Sequence, residues 1–184
     1  MNDRIIQEAI NLIHEKGFSF TISDLVRNLG TSKRTIYQYF DSKDSIIEAI
    51  IEELISEIKQ KEQHIYNNED LSLIEKIREL LICIPEEFQI MDFRLLIQLK
   101  KLHYNQWEKL NNFISHEWDI VIELMERGIK EGKIRKINIQ LFIELYLGAI
   151  NQIYDAKFSL KNCLTMSQIL NSAIDILLNG IYVE

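Results

Sequence analysis

One proline and six glycines among 184 residues leave few obligatory breaks in this chain, and the dominance of Leu, Ile, Glu, Lys and Gln makes long helices the default. Two cysteines, Cys83 and Cys163, lie far apart and outside any CxxC or Cys/His ligand spacing. They read as reduced structural thiols, which excludes a disulfide scaffold. No run of about 18 apolar residues occurs, so no membrane partner is expected. The N-terminal MNDRIIQEAI is charged and amphipathic where a signal peptide carries an apolar segment, which points to the cytoplasm. The histidines His14, His64, His103 and His116 include no HxxxH pair, and HEW at 116–118 lacks the second histidine of a zinc-protease helix. A Gly-rich phosphate loop, a GxSxG elbow and a nucleophile with its base are also missing. No metal, cofactor or catalytic residue is therefore expected, and the chain reads as a non-enzyme.

What is present is apolar and charged: 47% hydrophobic and 27% charged residues, enough for one ordinary core or two small cores sharing an interface. The expected fold class is all-α. Formal net charge is -7, which argues against blanket affinity for polyanions. Its location matters more than its sum. Residues 1–47 carry six acids and six bases, whereas 48–184 carry twenty-two acids and fifteen bases. The acid excess therefore lies in the second part.

Ile5, Ile6, Ala9, Ile10, Leu12 and Ile13 recur at helical spacing, with Asn2 or Asp3 as a cap and Gly17 at the end. Thr21 can cap a short second helix over Ile22, Leu25, Val26 and Leu29, which Gly30 stops. Ser32 or Thr31 begins a third, ending near Phe40, and Ser42 can cap a long fourth from about Lys43 to His64. The polar YNNED at 66–70 predicts a loop, followed by a helix over Leu71 to Ile84 that Pro85 closes. Pro85 suits the first turn of another, running to about Lys101. A single helix is expected from about Gln106 to Lys130, with Gly132 beyond it, then two more over Ile139 to Phe158 and Met166 to Leu178. The domain boundary is expected inside the fourth helix, giving units 1–47 and 48–184. A continuous helix there would couple the two mechanically.

Two short helices joined by a tight turn at Gly30 form a helix-turn-helix candidate, whose second helix can enter a major groove. At about 100° per residue, Lys33, Arg34, Tyr37 and Gln38 fall on one arc, while Ile36, Tyr39 and Phe40 share another and read as core. Lys33 and Arg34 can pair with phosphate or guanine edges, Gln38 can bond adenine, and Thr35 lies nearby for either purpose. Tyr37 suits a phosphate. Lys43 falls at the start of the fourth helix, where free backbone N–H groups already favour an anion, and the Thr21 hydroxyl could serve similarly.

The segment Gly17 through Ile46, GFSFTISDLVRNLGTSKRTIYQYFDSKDSI, resembles the DNA-binding domain of the TetR family of bacterial repressors. Thr21, Gly30, Thr35, Tyr37, Phe40 and Lys43 carry the likeness. The resemblance implies an N-terminal three-helix helix-turn-helix head on a C-terminal helical ligand-binding and dimerisation bundle, the dimer reading a palindromic operator in double-stranded DNA. By matching position it implies phosphate contacts at Thr21, Ser32, Lys33, Tyr37 and Lys43, and groove contacts at Arg34, Thr35 and Gln38. Arg34 departs from the pattern, since many members carry glycine there. Beyond residue 48 the resemblance offers an architecture only.

The body must be read from its residues. Leu141, Phe142, Leu145, Tyr146, Gly148, Ala149 and Ile153, then Ile169, Leu170, Ala173, Ile174, Leu177 and Leu178, offer more apolar surface than one side of a helix needs. A symmetric four-helix homodimer seam through the last two helices is one outcome and monomer core the other. In the middle helices Phe88, Met91, Trp107, Trp118 and Met125 can line an apolar cavity, with Gln98, His103, Asn111 and Gln152 as polar anchors for a small, partly apolar effector. These stripes equally suit plain core. The function expected is a ligand-responsive transcriptional regulator, a repressor released from its operator by that effector. The alternative is a helical adaptor or coactivator acting by protein contact, and a small enzyme using the aromatic cavity is a further rival that lacks paired catalytic groups.

Overall fold

The computed structural model describes residues 1–83, 93–153 and 166–181, and their regular elements are helices, with no β-strand among them. In chain order the helices are α1 (Asn2–Lys16), α2 (Ile22–Leu29), α3 (Lys33–Tyr37), α4 (Lys43–Asn67) and α5 (Leu73–Leu81). After them come α6 (Phe93–Leu102), α7 (Tyr104–His116), α8 (Asp119–Lys130), α9 (Ile139–Ile153) and α10 (Met166–Asn179). None among the described residues is long and apolar enough to cross a membrane.

Several helix starts are set by short-range polar chemistry. Thr21 and Asp24 form a reciprocal capping box on α2, and Ser72 and Glu75 do the same on α5. The second box explains why α5 starts at Leu73 and not at Leu71. Of Ser32 and Thr31, it is Ser32 that caps α3, accepting from Thr35 N–H at 3.1 Å. Ser42 accepts from Ser45 N–H at 3.1 Å at the head of α4. Neither Asn2 nor Asp3 caps α1: the helix begins at Asn2 behind Met1, without a side-chain cap. Gly30 ends α2 in the left-handed region at φ 60°, a conformation that costs glycine little.

Two expectations fail for local reasons. The helix expected from Gln106 to Lys130 is divided into α7 and α8, with Trp118 at φ -118° and ψ 5° between them. In a continuous helix Ile114 C=O would accept from Trp118 N–H. Here the Trp118 indole Nε1–H donates to it instead, at 3.0 Å, so the carbonyl is satisfied while the backbone turns. Likewise α3 stops at Tyr37, with Gln38 as its C-cap. Beyond Gln38 the turn tightens, Tyr39 N–H donating to Ile36 C=O at 3.0 Å, and Tyr39, expected in the core with Ile36 and Phe40, is 49% exposed.

The chain forms two compact units, Met1–Ser56 with Arg94–Phe113, and Glu57–Phe93 with Ile114–Glu184. The first is built on Ile5, Leu12, Phe18, Phe20, Leu25, Ile36, Ile46, Ile47, Ile50 and Leu99, all buried. At about 1.5–3 kcal/mol for each fully buried large side chain, this small core is enough to hold three short helices against one another. In the second unit Ile77, Leu80, Leu124, Met125, Ile174 and Leu178 are buried. There α8 comes close to α5 at Gly128, where a Cβ would lie 2.7 Å from Ile134 Cδ1 and 3.0 Å from Leu73 Cδ2. The Trp118 and Tyr146 rings meet edge to face at 5.5 Å.

Candidate nucleic-acid interface

Sequence places a polar arc and an apolar anchor on α3, and burial separates them. Ile36 is fully buried and Phe40 8% exposed, whereas Lys33, Arg34, Tyr37 and Gln38 are exposed and Thr35 half-buried. Tyr37 stands 50% exposed, an amphipathic ring whose hydroxyl can donate to a phosphate. Lys33 and Arg34 have no ion-pair partner among the described residues. The neighbouring cations of the head do: Lys16 and Arg27 both meet Asp24 Oδ1, at 2.8 and 2.7 Å. The charges of Lys33 and Arg34 thus remain available to an outside anion.

Helix starts add donors beside it. Thr21 is exposed at the start of α2, its hydroxyl donating to Asp24 Oδ2 at 2.8 Å and accepting from Asp24 N–H at 3.2 Å. To donate to a phosphate it must exchange that carboxylate. The Lys16 ammonium first, then Thr21, hold the Asp24 carboxyl well below the usual carboxylate range, so it is ionised whenever the head is folded near neutral pH. The Ser32 and Thr35 hydroxyls lie 2.9 Å apart, either one donating.

Lys43 is arranged differently from the exposed cations. Its ammonium donates to the Phe18 carbonyl and sits 4.4 Å from the centroid of the Phe20 ring. Burial lowers its pKa from the ordinary lysine value, with Asp44 and then Asp24 opposing. The Lys43 ammonium is therefore already engaged within the head.

The effector candidates are scattered. Gln98, His103, Trp107 and Asn111 belong to the first unit, and Trp118 and Met125 to the second. Phe88 and Met91 lie outside the described residues, and Gln152 is on α9 with its side chain outside them. Gln98 Oε1 accepts from Phe18 N–H at 3.0 Å, and His103 Nδ1 lies 2.7 Å from Asp44 Oδ1. Trp107 is half-buried with the Lys100 ammonium 4.3 Å from its centroid, Asn111 is half-buried, and Met125 is fully buried. An apolar depression of about 380 Å³ in the second unit is lined by other residues, among them Arg135, Leu141, Phe142, Leu145, Ile176 and Leu177. Leu141, Leu145 and Ile176 are 56%, 55% and 76% exposed, a wide apolar face on α9 and α10.

Sequence reasoning passed over Asp24 and Asp44, and read Gly17 only as the end of the first helix, where it does stand. The Thr-x-x-Asp spacing at 21–24 was a visible sign of the first; Asp44 and Gly17 act through residues distant in the chain.

Comparison with known proteins agrees with this geometry. The family model described as bacterial regulatory proteins, tetR family, matches residues 5–50, and one described as tetracyclin repressor-like, C-terminal domain, matches residues 70–180. An uncharacterised HTH-type transcriptional regulator of Bacillus subtilis, YvaF, is 46% identical over 181 residues, covering 98% of this chain and 95% of that protein. The fatty acid metabolism regulator protein of Bacillus subtilis is 23% identical over 97% of this chain and 94% of its own length. Among solved structures, a TetR/AcrR family regulator from Thermobifida fusca aligns with a TM-score of 0.73 at 22% identity, over 97% of each chain. FadR from Bacillus subtilis in complex with stearoyl-CoA aligns with a TM-score of 0.67 at 21% identity, over 99% of this chain and 100% of that one. A helix-turn-helix with an exposed cationic arc, a helical second unit and two family models that together span most of the sequence lead to one assignment: this chain belongs to the TetR family of DNA-binding transcriptional regulators.

Proposed function

We propose that this protein is a homodimeric repressor that occupies a palindromic operator and leaves it when a small, partly apolar effector binds. The observation that carries the reading is the face of α3. Lys33, Arg34, Tyr37 and Gln38 point to solvent while Ile36 locks the helix to the core, which suits a groove-reading element. In this reading residues 1–47 act as the head and 48–184 as the effector-binding and dimerisation part. Arg34, Thr35 and Gln38 meet base edges; Thr21, Ser32, Lys33, Tyr37 and the start of α4 at Lys43 meet phosphates.

Two half-sites one turn of DNA apart need two heads related by a dyad. The exposed Leu141, Leu145 and Ile176 on α9 and α10 supply an apolar face suited to a second copy of the chain. An apolar effector fits the chemistry of a relative solved with stearoyl-CoA. Effector binding acts by unequal affinity for two states, and α4, which contributes residues to both units, is the route we infer. We read the protein as a cytoplasmic non-enzyme.

The test is electrophoretic mobility of duplex DNA from upstream of the protein's own gene. With about six to ten phosphate contacts per dimer, affinity falls by several orders of magnitude between low and moderate salt. An adaptor acting by protein contact shows no salt-sensitive duplex binding, and that result would end this reading. Native mass spectrometry of the purified protein identifies a co-purifying effector, whose addition should free the duplex.

A further inference from the structure

Phe18 is held on every side by residues from outside its own turn. Its N–H donates to Gln98 Oε1 at 3.0 Å, and its carbonyl accepts from the Lys43 ammonium. The ring lies 5.9 Å from that of His103. Next to it Gly17 is buried at φ 68°, and a Cβ there would fall 2.2 Å from Gln98 Oε1. Gln98 reaches the backbone only because residue 17 has no side chain.

His103 completes the arrangement between α6 and α7. It is 8% exposed, with Nδ1 at 2.7 Å from Asp44 Oδ1 in the first turn of α4. A carboxylate only accepts, so Nδ1 carries the proton and donates. Nε2 is left buried with no hydrogen-bond partner among the described residues. An unmet buried polar atom lowers stability, so filling space is a poor account of a histidine here. An aliphatic side chain would fill it without that penalty.

We propose that Gln98 and His103 are positioning residues for operator recognition. Together they clasp the two segments that flank the helix-turn-helix, the Gly17–Ser19 turn leading into the Thr21 cap and the first turn of α4 after Phe40. The clasp fixes the start of α2 relative to the start of α4, and so sets the spacing of the donors offered to the DNA backbone on either side of α3. This rests on the DNA-binding reading above, and it moves Gln98 and His103 from effector anchoring to control of the head.

The experiment uses the full-length protein and a duplex that the wild type enriches from a random-sequence library. Affinity and thermal midpoint are measured in parallel for His103→Ala, His103→Asn, His103→Gln, Gln98→Ala, Asp44→Ala and the His103→Ala/Asp44→Ala pair. His103→Ala and Asp44→Ala should each lower affinity about tenfold, with the pair no weaker than the worse single variant. His103→Asn, whose amide N–H occupies the Nδ1 position, should recover to within about threefold of wild type, whereas His103→Gln should not. Should His103→Ala not fold, Gln98→Ala and the contrast between Asn and Gln decide. Unchanged affinity in folded variants, or losses that simply add, would overturn the clasp alone. A wild type that enriches no duplex overturns the regulator reading and the clasp together.

Discussion

At the residue scale, the cations of the head divide by what they already touch. Lys33 and Arg34 are exposed on α3, whereas the Lys43 ammonium is engaged by Phe18 and Phe20. Lys33→Ala should therefore weaken operator and random duplexes alike and reduce the slope of log affinity against log salt by about one. Gln38→Ala should instead narrow the gap between the two duplexes, by about 1–3 kcal/mol if it reads a base bidentately. Binding isotherms at several salt concentrations separate the two outcomes. Asp24 gives a pH signature. Its folded pKa is depressed, so its stabilisation is complete above the unfolded carboxylate value near pH 4 and declines below it. The gap in thermal midpoint between wild type and Asp24→Asn should be widest near pH 7 and shrink as the pH falls toward 3. A gap that stays constant or widens on acidification contradicts the assignment. The polar arc of α3 was legible because it follows helical period over a few residues. The surroundings of Lys43 were not, because Phe18 and Phe20 lie more than twenty positions away and sequence period carries no long-range contact.

Among elements, capping chemistry made the borders readable. Thr21, Ser32 and Ser42 each fill the role their residue type suggests, and Gly30 takes the left-handed turn between α2 and α3. What escaped notice was a break made by a helix-compatible residue. Trp118 interrupts the α7–α8 path by supplying an indole donor to Ile114 C=O, and no propensity scale marks a tryptophan as a stop. Trp118→Phe keeps most of the apolar volume and removes that donor. It should cost about 1 kcal/mol or more in denaturant unfolding, since the carbonyl loses its partner. At the α5–α8 crossing, Gly128→Val should cost about 1–3 kcal/mol, because Ile134 and Leu73 already occupy the space a side chain needs. A neutral result at Gly128 would mean that both neighbours move aside freely.

For the whole molecule, the acidic balance of residues 48–184 and the neutrality of 1–47 were visible before any coordinate. The way distant segments combine was not: residues 94–113 join the first unit, a fact of tertiary contact. The apolar face of α9 and α10 was legible as excess hydrophobic surface, while its exposure in the single chain is a structural finding. Leu145→Glu should shift the protein toward monomer in sedimentation velocity and lower operator affinity at least a hundredfold, through loss of the second tethered head. A dimer that persists would place the seam elsewhere. Finally, α3 spans five residues, far short of the length at which an isolated helix survives in water. It exists because Ile36 is gripped by its neighbours, so sequence-reading capacity is borrowed from the rest of the head and vanishes in the same cooperative step. Amide exchange at Ile36 and Tyr37 should accordingly track the opening of α1 and α2, and a warmed cell should lose operator discrimination and head structure together.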